Sequence, residues 1–450
     1  MDTAGRAGSD VSGLHPVQHV TLRRLAQDTT WMLVERAVRM TLGFFVGLYC
    51  ARLLGPGAYG LYGYALSIVT LFAFLGQAGL ESLLVRELVS ADRPEASTLR
   101  NALALRAAGG LLGGCLAVLL AYATQQSGLD AVPLVALLAA GGLVQSTWVI
   151  DSWLHAHRRF QASAMARMTA IVIAAGAKLW AVTSSEPLLA LAAISIAEAL
   201  LTAAALIVVS RHSGFELTSL FGVVDPGSLK ELWVRSRPLL YASFAIAIYA
   251  RIDMVMLGMM RGSEEAGLYA AAAALSEAFY AIPLAIMAAA APRLSAAYVR
   301  SVAEFSRHIA NLLRLLSLAG LAIALAITVL APTVIHMTYG AEFAGAAAIL
   351  AIHIWSTWFV FVSSASEPWY INHGLFNRYL AKTTLAALTN VTLNLLLIPS
   401  YGGPGAAAAT VASYALSAVA CNILWRDTRD LFRVQAHAML GFAPRWPAAR

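Results

Sequence analysis

Charged side chains inside long apolar stretches are the residues of this chain whose type and position could do chemistry. A charge at the centre of a membrane-spanning helix costs on the order of 3 kcal/mol on insertion scales, so it is expected to pair, to bind a ligand or to reach the membrane surface. Ten residues meet this description: Glu35, Arg36, Arg39, Glu81, Asp151, Lys178, Glu198, Arg251, Asp253 and Glu277.

Arg36 and Arg39 lie three residues apart in the first apolar stretch and therefore share one face of a helix. A guanidinium group presents a planar fork of donors that matches the oxygens of a phosphate. The two arginines together predict an anion-binding patch. Glu35 precedes Arg39 by four residues, so a buried ion pair is the competing interpretation.

Lys178 and Arg251 are candidates for the same anion-binding role. Lys178 lies in the outer half of its stretch, where a long side chain can instead extend to the membrane surface. Arg251 and Asp253 are two positions apart, about 200° around a helix, so they cannot both face one cavity.

Three carboxyl groups, Asp253, Glu198 and Glu277, lie near the middle of their stretches. A carboxylate in a low-dielectric setting is a natural site for a proton or a small cation, which makes these residues candidates for ion coupling. A salt bridge to Arg or Lys is the equally weighted alternative. Glu81 and Asp151 lie near stretch ends, where they can simply reach the interface.

Signatures of catalysis and metal binding are missing from the sequence. It contains no GxxxxGK[ST], GxSxG or HExxH motif, and its three cysteines show no paired spacing. His353, inside an apolar stretch, is more often a packed residue than a proton carrier. No basic face is interleaved with aromatics, as nucleic-acid binding would require. We therefore expect no enzyme, no cofactor, no metal site and no nucleic-acid partner.

The elements that position these charges are predicted to be membrane-spanning helices. Hydrophobic residues make up 59% of the 450 residues and charged residues only 12%, about half the charged share of a soluble domain. A crossing needs about 20 apolar residues. Windows of that length lie near 29–53, 59–81, 101–123, 132–154, 165–183, 188–210, 238–260, 267–290, 309–331, 346–366, 378–398 and 405–425.

Basic residues predict the orientation of these helices, because loops rich in Lys and Arg stay in the cytoplasm. With both termini inside, most of the 31 Lys and Arg residues fall in inner segments, and only Arg52 and Arg261 lie at outer ends. The longest inner connection follows the sixth helix. The predicted division is a cytoplasmic segment 1–28, a six-helix lobe 29–210, a linker 211–237, a second six-helix lobe 238–425 and a cytoplasmic tail 426–450.

Two smaller features lie in the linker and the tail. Ser228 and Glu231 have the spacing of a capping box, which predicts a short surface helix. The tail after Arg426 mixes arginines with apolar residues, a pattern typical of a helix on the membrane surface and equally of a disordered tail.

The two halves share a weak internal repeat. Tyr59-Gly60-Leu61-Tyr62 opens the second helix, and Ala266-Gly267-Leu268-Tyr269 opens the eighth. Two similar six-helix bundles around a central cavity are a common basis for alternating access. The fold prediction is an all-α integral membrane protein with about twelve transmembrane helices in two lobes.

An ordered set of motifs resembles a known family. It comprises ARLLGPGAYGLYGYALS (51–67), GLESLLVREL (79–88), RIDMVMLG (251–258), AGLYAAAAALSEAF (266–279), AAPRLS (290–295), YGAEFAGAAAIL (339–350) and NVTLNLLLIPSYGGPGAAAAT (390–410). Together these motifs resemble the Wzx-type polysaccharide flippases of the multidrug/oligosaccharidyl-lipid/polysaccharide (MOP) exporter superfamily, in that family's order.

The resemblance implies a V-shaped pair of lobes that moves an undecaprenyl-diphosphate-linked oligosaccharide across a bacterial inner membrane. Arg36, Arg39, Arg251 and Lys178 would then hold the lipid diphosphate. A polysaccharide polymerase and glycosyltransferases are the expected protein partners. Relatives that flip the peptidoglycan precursor usually have two more helices, which disfavours that substrate here.

Two other functions compete with this one. An ion-coupled multidrug or small-molecule antiporter could use the same scaffold, but its cavity should be mainly acidic and aromatic. A membrane-embedded glycan ligase or acyltransferase would need a large outer loop or a catalytic cluster, and the sequence offers neither.

Overall fold

The structure, a computed structural model, describes residues 22–77, 79–90, 94–124 and 131–442, and within these ranges it contains helices and no β-strand. The first 21 residues of the predicted cytoplasmic segment 1–28 and the last eight residues of the predicted tail 426–450 lie outside the described residues. The α-helices in chain order are α1 Leu22–Gln77, α2 Leu80–Ser90, α3 Glu95–Thr124, α4 Val132–Val144, α5 Val149–Ala156, α6 Phe160–Ala181, α7 Pro187–His212, α8 Pro226–Arg261, α9 Ser263–Ala278, α10 Ala281–Arg300, α11 Val302–Thr338, α12 Ala346–His353, α13 Trp355–Asn372, α14 Phe376–Ala418 and α15 Arg429–Met439.

In the described part of the chain, ten helical segments are long and apolar enough to cross a membrane. Two of them, of 61 and 48 residues, are far longer than the roughly 20 residues that one crossing needs. Each bends at a glycine with positive φ, Gly55 at 72° and Gly402 at 56°. Since each bent segment is long enough for two crossings, the described residues are sufficient for the twelve crossings that the sequence predicts.

Successive crossings alternate in direction, so their ends collect on two faces. The terminal face is the one at which α1, α3, α6, α8, α11 and α14 begin. The distal face carries the turns at Gly55, Gly262, Gly340 and Gly402.

Packing divides the crossings into two lobes. The N-terminal lobe comprises α1 to α7, which contact one another, and the C-terminal lobe comprises α8 to α14. Helix α1 also packs against α8 and α9 and so joins the lobes. Helix α15 lies on the terminal side, where Leu431 and Val434 are buried in a core with Phe305 of α11.

The start of α8 differs from the predicted capping box. Asp225 caps the helix, accepting hydrogen bonds from the backbone N–H groups of Gly227 and Ser228, and Pro226 occupies the first turn. Proline fits that position because its missing N–H would be unpaired there anyway. The predicted short surface helix is therefore the first part of the long α8.

The repeat-related glycines bring the two lobes into contact at the distal face. A Cβ on Gly60 would lie 1.8 Å from the carbonyl oxygen of Ser263, and a Cβ on Gly267 would lie 1.9 Å from that of Pro56. Only glycine allows two helix backbones to approach this closely. Beside them, the rings of Tyr59 and Phe343 meet edge to face. The lobes are thus sealed at this end.

Candidate substrate cavity and ion site

A polar cavity of about 450 Å³ lies between the lobes, in the half of the protein nearer the terminal face. Both lobes contribute to its wall, and the distal glycine contact lies at the opposite end of the molecule. Its charged and aromatic lining residues are Glu81, Arg106, Trp148, Asp151, Glu367, Phe376 and Tyr379.

Arg106 of α3 is the cation in this wall. Arg106 is only 5% exposed, and its Nε has no hydrogen-bond partner among the described residues. A buried guanidinium group with a free donor is costly, because lost hydration is not replaced. Glu81 and Asp151 line the same cavity, but neither accepts a hydrogen bond from this Nε, so an anionic ligand could still satisfy that donor.

Asp151, in the same wall, is already neutralised. Arg167 Nη1 donates to its Oδ2 at 2.9 Å, and the Ser163 hydroxyl donates to its Oδ1. Arg167 also lies 3.6 Å from Glu35, which links the wall to the first helix. Asp151 therefore adds little net negative charge to the cavity.

A second cavity, of about 290 Å³, shares Ile246, Glu367, Tyr379 and Thr383 with the first. Its cation is Lys382 of α14, which is 1% exposed. Lys382 Nζ lies 4.4 Å from the ring centroid of Tyr370 and 4.9 Å from that of Tyr379, and has no hydrogen-bond partner in the described structure. Ring faces attract the ammonium group but leave its three N–H donors unused.

Arg106 and Lys382 come from opposite lobes and were not among the predicted site residues. The sequence did carry a signal for both, because each lies inside an apolar window. Both also lie toward the inner ends of their helices, where the positive-inside rule alone accounts for a basic residue.

The predicted anion-binding residues do not converge in the structure. Arg39 Nε donates to Glu35 at 3.0 Å, so the pair within α1 is formed. Lys178 Nζ donates to Glu198 at 2.7 Å between α6 and α7. Arg36 is exposed. Arg251 lines a third cavity, and none of the other three lines that cavity.

That third cavity, of about 160 Å³, contains two of the predicted ion-coupling residues. Asp253 and Glu277 both line it, together with Arg251 and His353. His353 Nδ1 is hydrogen-bonded to Ser276 Oγ at 2.5 Å, so the histidine is held in the wall. The third ion-coupling candidate, Glu198, is in the ion pair with Lys178.

Asp253 is 6% exposed and is surrounded by neutral groups from two other helices. Tyr269 Oη donates to it at 2.9 Å, Thr410 Oγ1 at 2.5 Å and Asn394 Nδ2 at 2.8 Å. The Oδ1 atom of Asn394 is buried without a hydrogen-bond partner in the described ranges. Carboxylate, hydroxyl and amide oxygens around one buried negative charge form a ligand set that suits a small hard cation.

Comparisons with known proteins agree with this architecture. The sequence profile of the polysaccharide biosynthesis protein family matches residues 25–297. None of the proteins of curated function matches the chain in sequence.

Among solved structures, the lipid II flippase MurJ in an inward closed conformation aligns with a TM-score of 0.71 at 14% identity, over 90% of each chain. An inward-facing multidrug resistance MATE family transporter of the MOP superfamily aligns with a TM-score of 0.66 at 18% identity, over 88% of this chain and 95% of that one. A MOP superfamily transporter from Pyrococcus furiosus gives 0.58 at 16% identity, over 92% and 96%. The predicted all-α, two-lobed fold is confirmed, and this chain shares it with solved structures of MOP superfamily transporters.

Proposed function

Since the chain belongs to the polysaccharide biosynthesis protein family, we propose that it is a flippase for undecaprenyl-diphosphate-linked oligosaccharides. It moves them by alternating access from the cytoplasmic to the outer face of a bacterial inner membrane, for the synthesis of surface or exported polysaccharide. One observation carries the proposal: a cavity with charged and aromatic walls lies between two lobes that are sealed at the distal face.

The terminal face is cytoplasmic in this proposal. Most of the Lys and Arg residues flank helix ends at that face, as the positive-inside rule requires. Cysteines introduced at Gly262 or Glu342 should then be labelled by an impermeant reagent in intact cells, and one at Ser228 should not. The reverse labelling pattern would overturn the orientation.

The lipid diphosphate is the part of the substrate that most needs protein, because it carries negative charge through a low-dielectric core. Arg106 and Lys382 have the properties of a clamp for it, since both are buried, both have unused donors and they belong to opposite lobes. Charge-assisted hydrogen bonds would replace the lost hydration. Binding by both lobes would couple substrate binding to lobe movement.

The residues that the sequence predicts to hold the diphosphate would contact it only at other stages of this mechanism. Arg36 is exposed and Arg251 lines a cavity, so either can contact the head group at another stage of transport. Arg39 and Lys178 are engaged with Glu35 and Glu198, so they would first have to leave these ion pairs.

Asp253 is the proposed site of ion coupling. It sits where α8, α9 and α14 meet, so a sodium ion or a proton bound there would change the packing of the C-terminal lobe. An ion that binds one conformation more tightly than the other shifts the balance between them. Glu277, in the same cavity, is the second candidate.

The antiporter remains the second candidate function. The main cavity has three carboxyl groups, of Glu81, Asp151 and Glu367, beside Arg106. The small cavity that holds Asp253, Glu277, Tyr249 and Tyr414 is likewise acidic and aromatic, as expected for an organic cation. Its volume of about 160 Å³ is smaller than the 300–1,000 Å³ typical of sites for drug-sized ligands. The larger cavity between the lobes is therefore the better candidate for substrate.

Reconstitution into liposomes tests the choice between these functions. A fluorescent undecaprenyl-diphosphate disaccharide is placed in both leaflets, and a membrane-impermeant quencher is added outside. The flippase proposal predicts that the protected fraction disappears faster with protein than without. Unchanged protection, together with gradient-driven uptake of ethidium by the same vesicles, would favour the antiporter.

A further inference from the structure

Two spaces in the N-terminal lobe connect the cavity between the lobes to the lipid-facing surface. The main cavity shares Gln77, Arg106 and Gln145 with a narrow slot of about 40 Å³ between α1, α3 and α4. The slot in turn shares Gly114 and Ala139 with an open groove of about 540 Å³ on the outside of α3 and α4. The path runs from a charged space to an apolar one.

The groove is suited to hydrocarbon. Its wall contains no charged residue, and only the Cys115 thiol and the Tyr122 hydroxyl add polar side-chain atoms. Three of its large side chains are strongly exposed: Leu111 at 56%, Leu119 at 62% and Tyr122 at 67%. It runs from mid-membrane, at Gly114, to the distal end of α3.

Glycines keep the slot open between the helices. A Cβ at Gly142 would meet nothing within 4 Å, and one at Gly114 or Gly110 would make only ordinary contacts, at 3.5 and 3.6 Å. These glycines are therefore not required by close helix packing, unlike Gly109, whose Cβ would lie 2.0 Å from the Leu75 carbonyl oxygen. Larger residues would fill the slot, which is too narrow for a sugar ring.

Arg106 stands where the slot meets the main cavity. It lines both spaces, is 5% exposed and keeps a buried Nε without a partner in the described structure. A ligand that satisfies Arg106 and also occupies the groove must have an anionic group joined to a long, thin apolar chain.

We infer that the slot between α3 and α4 holds the polyprenyl tail of the substrate, which leaves the main cavity past Arg106 and lies in the outer groove. This assignment rests on the proposed function and specifies how the substrate is held. The diphosphate stays at Arg106 while the sugars occupy the main cavity. The apolar chain remains in contact with lipid and does not fill the main cavity. There it would cover the polar groups of the wall and leave them without hydrogen-bond partners.

Cys115 provides a native reporter for the groove, because it is exposed there while Cys50 and Cys421 are buried. The wild-type protein in liposomes is treated with a lipid-soluble maleimide. An undecaprenyl-diphosphate disaccharide should slow labelling of Cys115 about tenfold, because a chain that buries several methylene groups in the groove covers the thiol. The same head group on a farnesyl chain should slow it much less. The inference would be overturned if Cys115 were labelled at the same rate with the two compounds, or at the rate measured when neither is present. Either result would show that ordinary phospholipid acyl chains fill the groove.

Filling the slot is the second test. Gly142→Leu should reduce flipping of the undecaprenyl substrate about tenfold, because the tail loses its burial in the groove. Flipping of the farnesyl substrate should fall less, because its short tail reaches the slot but little of the outer groove, and an unchanged melting temperature of the purified variant shows that it is folded. Gly176→Leu is the matched control, since a Cβ on this exposed α6 glycine likewise meets nothing within 4 Å.

The outcomes separate the two proposals. If Gly142→Leu flips the long-chain substrate normally, the tail slot is wrong while the flippase function stands. Failure of the wild-type protein to flip either substrate would instead refute the proposed function.

Discussion

Charged side chains within the membrane-spanning helices are surrounded differently in the two lobes, with Arg106 as the exception in the N-terminal lobe. In the N-terminal lobe, Asp151 is bonded to Arg167, and Glu198 to Lys178. In the C-terminal lobe, Asp253 is held by neutral hydroxyl and amide groups, and Lys382 by two tyrosine rings. Opposite charges that satisfy each other need no ligand, whereas a charge among neutral partners still attracts a counter-ion. The difference suggests a structural role for the first set and an exchangeable ligand for the second.

The largest expected effect comes from breaking an ion pair in the N-terminal lobe, and it is a loss of stability. Asp151→Ala would leave Arg167 buried without its main partner, which costs about 3–5 kcal/mol. We expect a large fall in the detergent-solubilised protein's melting temperature. An Asp151→Leu, Arg167→Met double variant should recover most of it, because the uncompensated charge is gone. Lost transport at unchanged melting temperature would contradict a structural role.

The matching change in the C-terminal lobe should affect transport rather than stability. Asp253→Asn keeps the size of the side chain and much of its hydrogen bonding but removes the charge that we propose binds the ion. Losing one charge-assisted contact of about 1.5–3 kcal/mol corresponds to roughly a tenfold or greater fall in gradient-driven flipping. The measurement is flipping in liposomes with and without a sodium or proton gradient. An undiminished response to both gradients would remove Asp253 from the coupling mechanism.

Lys382→Met tests the buried cation of the C-terminal lobe. Methionine fills similar space between the tyrosine rings and removes a poorly hydrated ammonium, so the protein should be equally or more stable. We expect a several-fold rise in the substrate concentration needed for half-maximal flipping, because one donor to the diphosphate is lost, worth about 1 kcal/mol. An unchanged substrate dependence would show that Lys382 is not part of the clamp.

The smallest effect is expected at the partly exposed Lys178–Glu198 pair. Its side chains are 23% and 24% exposed, and replacing both by methionine should change stability by no more than about 1 kcal/mol. Flipping should stay near the wild-type rate. A transport defect in a stable Lys178→Met, Glu198→Met variant would restore Lys178 as a substrate-binding residue or Glu198 as an ion-coupling residue.

Local patterns predicted the crossings well, because apolar length and turn glycines such as Gly55 and Gly402 act within a short stretch of chain. Even the Glu35–Arg39 pair could be anticipated, since its partners are four residues apart. The surroundings of Asp253 could not, because Asn394 and Thr410 are brought to it from 141 and 157 positions away. Arg106 and Lys382 were missed because a basic residue near a helix end has the same pattern whether it faces cytoplasm or cavity.

The glycine contact at the distal face also bears on the energetics of opening. Gly60 and Gly267 have no side chains. Separating these two glycines therefore requires no change of side-chain rotamer and breaks no ion pair between them. Opening this contact should consequently depend little on ionic strength or on membrane voltage. Sensitivity of the transport cycle to either would then have to originate elsewhere, at the proposed ion site and at the charged head group of the proposed substrate.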